Sequence, residues 1–410
     1  MKSIYRQIGD FIELIDVRNK DLRVNHLLGL SITKEFIPSV ANTVGTNMSN
    51  YKIIKKNQFA CSIMQVRRDK KMPVALLKEF DEAIISQAYP VFQVRDEEVL
   101  SPDYLMMWFS RAEFDRHACF LAVGGVRGSL EWDDFLEMQL PVPSIEIQRA
   151  IVKEYNTIVN RIKLNEQLNQ KLEETAQALY KHWFVDFEFP NENGQPYKSS
   201  GGEMVYNEEL DQAIPKAWKN SVLSEITEKI FSGGTPSTNE DSYWGEEYYW
   251  ISSGETREKV IIDSERMITA KGVENSSTKL AKVGDSIMAS AGQGKTRGQT
   301  SFCMVDAYFN QSVLCVRPLE VYHRSFIFFN LNSRYYELRN ESDAQSIRGS
   351  LNKENLSELP IVQPPHEILK MFEEIGEVVF NNVYVNRQLS KKLRYLEILV
   401  LSKMSKVKPI

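Results

Sequence analysis

The chain is written twice. The run Arg127-Gly128-Ser129-Leu130 recurs 221 residues later as Arg348-Gly349-Ser350-Leu351. The same shift of 221 carries Asn165, Gln167, Leu168, Lys171 and Leu172 onto Asn386, Gln388, Leu389, Lys392 and Leu393. Further upstream, a shift of 224 carries Ser62-Ile63-Met64 onto Ser286-Ile287-Met288, and Gln87 onto Gln311. Self-similarity on this scale means one folding unit used two times. Each copy reads as a globular domain followed by a long helix, which gives domains over 1–143 and 218–365, helices over 144–183 and 366–410, and a connector over 184–217.

Each globular half is expected to be mixed α/β (α+β). Short β-rich runs such as "YYWIS", "SIMAS" and "SVLCVRP" alternate with Gly, Ser and Asn loops, and helical patterns follow over 102–117 and 322–338. The two helices after the domains carry apolar residues at alternating spacings of four and three. In the first, Ile151, Tyr155, Ile158, Ile162, Asn165, Asn169, Leu172, Ala176, Leu179 and Trp183 share a stripe. Phe372, Gly376, Val379, Val383, Asn386, Ser390, Leu393, Glu397, Val400 and Met404 share the stripe of the second. That spacing predicts an antiparallel coiled-coil pair with pseudo-twofold symmetry. Asn165 and Asn386 would fix its register by facing each other or one another's backbone. Two ordinary amphipathic helices, each packed on its own domain, are the alternative. The connector is rich in Gly, Pro, Ser, Asn and acidic residues and reads as ordered but irregular.

Composition narrows the function. With 42% hydrophobic and 26% charged residues, the 410-residue chain fits a soluble protein of two or three domains. No run is apolar enough to span a bilayer, and the start "MKSIYRQIGDFIEL" lacks a secretory signal, so a cytoplasmic setting is expected. The four widely spaced cysteines form no CxxC pair, and no histidine sits in a zinc-ligand spacing. The net charge is −5 and no segment is strongly basic, so any DNA affinity must come from local basic clusters.

The stretch "SAGQGKTRG" (290–298) ends like a phosphate-binding P-loop. A P-loop needs a glycine five positions before Gly294, where Ala289 stands, and an amphipathic helix afterwards, where "RGQTSFCMV" reads as a turn and a strand. In the other copy the corresponding residues are "VRRDK" (66–70), so no phosphate cradle is shared. What the copies share is a basic loop of variable composition on a repeated scaffold, which points to recognition. Amino-methyltransferase motifs are approached only by Gln363-Pro364-Pro365-His366 and the Ser290, Gly292, Gly294 spacing, and neither is complete. No esterase or nuclease signature stands out, so no catalytic residues and no metal site are assigned.

In its repeated plan the sequence resembles the specificity (S) subunit of type I restriction–modification enzymes, the HsdS family. The resemblance covers nearly the whole chain and rests on "LPVPSIEIQRAIV", "LYKHWFVDFEFPNENGQPYKSSGGEMVYNEEL", "IPKAWKNSVLSEITEKIFSGGTPSTNEDSYW" and the paired "NxQLxxKL". The first half departs from it by having "DVRNKDLRVNHLLGL" (16–30) where the second has the "SGGTP" opening. The resemblance implies a non-catalytic subunit whose two target recognition domains each read one half of a bipartite, asymmetric DNA target. It implies that the helices set the unread gap and dock two modification (M) subunits, which use S-adenosylmethionine. Restriction (R) subunits, using ATP and Mg, would join in the full complex.

The expected DNA contacts are loop residues able to reach phosphates or base edges. In the first domain these are Gln65, Arg67, Arg68, Lys70 and Lys71, and in the second Ser232, Gly233, Thr235, Gln293, Lys295, Thr296 and Arg297. Each has a plainer reading as a solvated surface residue. Arg127 and Arg348 match between copies, which favours a structural pairing over base reading, and Tyr248-Tyr249-Trp250 reads as strand core. The competing functions are an S-like subunit of a methylation-only system, a P-loop nucleotide-binding protein and a coiled-coil scaffold.

Overall fold

The computed structural model describes residues 5–39, 47–123, 128–292, 295–345 and 350–406. The chain divides into two compact units, residues 1–162 with 392–410, and residues 163–391.

In the first unit, a strand at Tyr5–Gln7 pairs antiparallel with Gln139–Pro141, the strand just before the long helix. This pairing closes the domain on its own ends. Between them lie two four-stranded sheets. One has the order Ile12–Ile15, Val91–Val94, Phe59–Cys61, Val74–Leu76, and the other Phe36–Pro38, Leu27–Leu30, Glu82–Ile85, Lys52–Lys55. In the second of these the pair Leu27–Leu30 and Glu82–Ile85 is parallel. Two short helices, Pro102–Phe109 and Ala112–Leu121, stand where one helical segment is predicted over 102–117. The core packs Phe59 against Phe92 with ring centroids 4.9 Å apart, and Val400 and Met404 of the second long helix join it.

The second unit repeats this plan. Lys219–Val222 pairs antiparallel with Pro360–Gln363, again the strand before a long helix. One sheet runs Thr227–Ser232, Val313–Pro318, Ser286–Ala289, Thr300–Cys303, Val260–Ile261, and the other Arg266–Ile268, Trp244–Ile251, Ala307–Phe309, Lys279–Ala281. The parallel pair recurs at the matching place, between Trp244–Ile251 and Ala307–Phe309. Among the described residues, the added strand Val260–Ile261 has no counterpart in the first unit's sheets. Here too a predicted single helix (322–338) is two, Arg324–Ser333 and Tyr335–Gln345. The connector contains a hairpin, Met204–Asn207 with Gln212–Pro215, that the sequence reading misses. Phe189 stacks between Tyr197 and Trp218, at 4.6 and 4.9 Å, which is why so polar a segment is ordered.

The long helices are Ile145–Phe184 and His366–Lys403. Every residue of both four-three stripes is buried or half-buried. The helices pair antiparallel within each unit. In the first unit Tyr155 donates to Glu397 at 3.1 Å and Lys403 to Glu154 at 2.7 Å. In the second, Asn165 and Asn386 do not bond to each other's side chains as one form of the prediction had it. Asn165 Nδ2 donates to Ser390 Oγ at 3.1 Å and, longer, to the Asn386 carbonyl at 3.5 Å, while Asn386 Nδ2 donates to Asn169 Oδ1 at 2.9 Å. Asn169 and Ser390 are themselves repeat equivalents, so the two side-chain bonds are related by a local twofold near Gln167 and Gln388.

The helices also grip the second domain. Arg387 donates to the Val260 carbonyl at 2.6 Å, Lys391 to Asp263 at 2.8 Å, and Asn332 to Gln177 at 2.6 Å. Gly376 lets the helix Arg324–Ser333 approach, since a Cβ there would lie 1.9 Å from Ser325 Oγ.

Candidate nucleic-acid interface

In both domains the variable basic loop is the tip of an antiparallel hairpin. The strands are Phe59–Cys61 with Val74–Leu76 in the first copy, and Ser286–Ala289 with Thr300–Cys303 in the second. The strand after "SAGQGKTRG" rules out the P-loop reading, because no helix N-terminus is placed there to receive phosphates.

In the first tip, Val66–Asp69 forms a single helical turn rather than the predicted loop. It is bracketed by Gln65 and Lys70, both with left-handed backbones (φ 65° and 53°). Non-glycine residues seldom hold this conformation unless the surroundings impose it. Here fully buried Val66 and Met72 pin the turn from below. Arg67, Arg68, Lys70 and Lys71 are exposed above it, and Gln65 is half-buried. Arg68 pairs with neighbouring Asp69 at 2.7 Å, which raises the pKa of its guanidinium.

The helix Ala112–Leu121 buttresses this tip. Asp115 accepts from the Met72 backbone N–H at 3.1 Å and from the Lys34 ammonium at 2.8 Å. Burial pushes the Lys34 pKa down, against the pull of Asp115. The Cys119 thiol lies 4.0 Å from the Arg67 carbonyl. Gly128 of the repeated Arg-Gly-Ser-Leu run accepts from the Arg67 N–H at 3.1 Å. Its φ of 59° and a would-be Cβ only 2.5 Å from Arg67 Cβ make glycine necessary there.

In the second tip the placement is mixed. Lys295 is exposed, with its carbonyl accepting from Tyr335 at 2.9 Å. Thr296 and Arg297, expected on the surface, are buried at 5% and 6% exposure. Thr296 Oγ1 accepts from Arg257 at 3.1 Å, so it braces the hairpin from inside. Gln293, Arg127 and Arg348 lie outside the described residues.

The "SGGTP" loop reaches the same end of the sheet. Ser232 pairs with Leu314 and Ala289 with Val313, so the loop and the hairpin tip leave the two strands that flank Val313–Pro318, at the same end of it. Thr235 donates to Gln311 at 2.5 Å, and Gln311, singled out only as a repeat match, is exposed there. Gly233 serves packing: a Cβ would sit 2.0 Å from the Phe309 carbonyl. Ser232 is half-buried. Of the Tyr248-Tyr249-Trp250 run, Trp250 is core at 4% exposure, whereas Tyr248 is 43% exposed and departs from the strand-core reading.

The repeated Arg-Gly-Ser-Leu runs have a shared structural task. The Leu130 N–H donates to the Ile63 carbonyl and the Leu351 N–H to the Ser290 carbonyl, each at 2.9 Å, and both leucine side chains are buried. Each run thus ties the segment before its long helix to the base of its hairpin tip.

Comparison with known proteins agrees with this two-copy plan. The profile of the family described as "Type I restriction modification DNA specificity domain" matches residues 6–174 and 215–395. The chain is 24% identical over 301 residues to the type I restriction enzyme MjaIX specificity subunit of Methanocaldococcus jannaschii, covering 71% of this chain and 66% of that protein. It is 22% identical over 407 residues to the HindI specificity subunit of Haemophilus influenzae, covering 86% of each. The crystal structure of a type I restriction–modification S subunit from M. genitalium shares the fold, with a TM-score of 0.60 at 13% identity over 98% of this chain and 95% of that one.

Proposed function

Because the chain belongs to the type I restriction–modification DNA specificity family, we propose that each of its two domains reads one half of a split DNA target through its hairpin tip. The observation that carries this is the contrast between scaffold and tip. Sheet order, the parallel strand pair and the leucine tether recur in both copies, whereas the tips carry different residues in different conformations. A repeated scaffold with divergent, partly basic tips suits a protein that recognises two unlike sequences.

Residues Arg67, Arg68, Lys70, Lys71 and Lys295 are exposed and long enough to reach phosphates or the O6 and N7 edge of guanine. Gln65, Ser232, Thr235 and Gln293 complete the candidate contacts, while Gly233, Thr296 and Arg297 act by shaping the loops. The chain itself is non-catalytic in this account. Modification subunits dock on the helices and bring S-adenosylmethionine, and restriction subunits bring ATP-driven cleavage where they are present. Helices of 40 and 38 residues extend roughly 60 Å at ~1.5 Å per residue, longer than one turn of duplex, so the pair is suited to set the gap between halves.

The test is to insert one heptad into both helices and map methylation with the modification subunit present. The gap should widen while both half-site sequences stay the same. Altered half-sites at an unchanged gap would remove the helices from that role.

A further inference from the structure

A large apolar side chain on the surface needs a reason, and Phe120 is 78% exposed. It lies on Ala112–Leu121, the helix that buttresses the first hairpin tip. Its neighbour Cys119 faces the Arg67 carbonyl, which places the end of this helix beside the basic turn. The same helix exposes Arg116 and His117 one turn earlier, and Val123, just past its end, is 73% exposed. Ala118 and Phe114 hold the opposite face in the core. The outcome is an apolar projection at the end of a helix that packs on the turn carrying exposed Arg67, Arg68, Lys70 and Lys71, with Arg116 one turn back on the same helix.

The second domain repeats the juxtaposition with other residues. Tyr335 donates to the Lys295 carbonyl at the tip, and Tyr336 beside it is 77% exposed. The two aromatics are not repeat equivalents, since the shift of 221 takes Tyr336 back to Asp115. Both copies have thus acquired a protruding ring beside the tip, at different positions.

We infer that this helix is the other half of the DNA-reading surface, with Phe120 set as a wedge against the bases of the first half-site and Tyr336 holding the corresponding place on the second. The occupant is duplex DNA because the helix that carries the ring flanks the exposed basic turn, as expected of a side chain pressed into a groove while neighbouring cations meet phosphates. An apolar wedge inserted at a base step unstacks it and discriminates by how readily the step opens. The inference rests on the DNA-specificity reading of the chain.

The experiment uses the full chain assembled with its modification subunit, on duplexes carrying the mapped split target. 2-Aminopurine is placed in turn at each first-half position other than the methylated adenine. The wild-type complex should raise the fluorescence severalfold at one step. Phe120→Ala should abolish that rise and weaken target binding about tenfold while leaving the salt dependence unchanged. Phe120→Leu should keep part of the signal. Arg67→Ala should instead reduce the salt slope by about 1. Unchanged fluorescence and affinity in Phe120→Ala would overturn the inference, as would loss of the modification subunit from that variant, which would make the face a protein contact. A wild-type complex that methylates no split sequence would refute the specificity reading itself, an outcome visible before any variant is made.

Discussion

Asn386 donates its carboxamide to that of Asn169 across the helix pair at 2.9 Å, and the repeat-related bond from Asn165 to Ser390 spans 3.1 Å. One buried polar layer thus uses both copies of one motif, each amide answered by the residue one turn along the opposite helix. Sliding either helix by a turn would take these groups away from these partners in a largely apolar seam. We propose that this layer sets register as well as contributing stability.

The pair should behave as a coupled unit. Asn386→Ala and Asn169→Ala should each cost about 1–3 kcal/mol in chemical denaturation, since each leaves a buried or half-buried amide unanswered. The double variant should cost clearly less than the sum. Strict additivity would show that the bond does not contribute.

Lys295 and Thr296 are adjacent in sequence, but their substitutions should separate. Lys295→Ala should lower the slope of log affinity against log salt by about 1 and leave the melting temperature alone. Thr296→Val removes the acceptor of Arg257 and should destabilise by about 1–3 kcal/mol while leaving the salt slope unchanged. The reverse pattern would mean that the tip turns Thr296 outward in solution.

Gly376→Ala should destabilise the second unit by about 1–3 kcal/mol through overpacking, because the added methyl meets Ser325. Ser325→Gly in the same chain should restore much of the loss. Thermal melts of the three variants check this.

His323 is buried at 3% exposure, beside Tyr322, Glu320 and His366, and burial pushes its pKa down to about 4. The folded chain thus refuses a proton that the unfolded chain takes up below pH 6.5. The stability attached to this residue is complete above that pH and falls as the pH drops towards 4, by up to about 3 kcal/mol. His323→Gln should flatten that part of the stability profile, as read by denaturation at pH 7 and pH 4.5.

The repeat made most of the fold legible. A chain that shows the same markers at a nearly constant shift must build two like domains, and the four-three stripes locate the buried helix face residue by residue. The hairpin in the connector was hidden because its order comes from Phe189 and Trp218, which pack across a segment whose local composition reads as loop. The broken helices were hidden because the apolar period continues through Ser110-Arg111 and Arg334, where each chain turns.

The candidate interface was less legible. Basic residue type suggested Arg297 as readily as Lys295, and only the hairpin's curl shows that one is buried and the other exposed. Gly233 looked like a loop glycine, yet its constraint is the Phe309 carbonyl, 76 residues away in sequence. Phe120 gave no signal at all, because it lies past the helical pattern predicted over 102–117, on a turn that only the structure adds.

The central claim is that two unlike tips on one scaffold read two halves of one target. It is tested most directly by mapping N6-methyladenine across the genome of a naive host expressing this chain with its modification subunit. The same map is then made with residues 65–71 exchanged for those of another family member. The account predicts one split sequence with a fixed gap, and a change confined to one half after the exchange. A contiguous target, or a change in both halves, would contradict it.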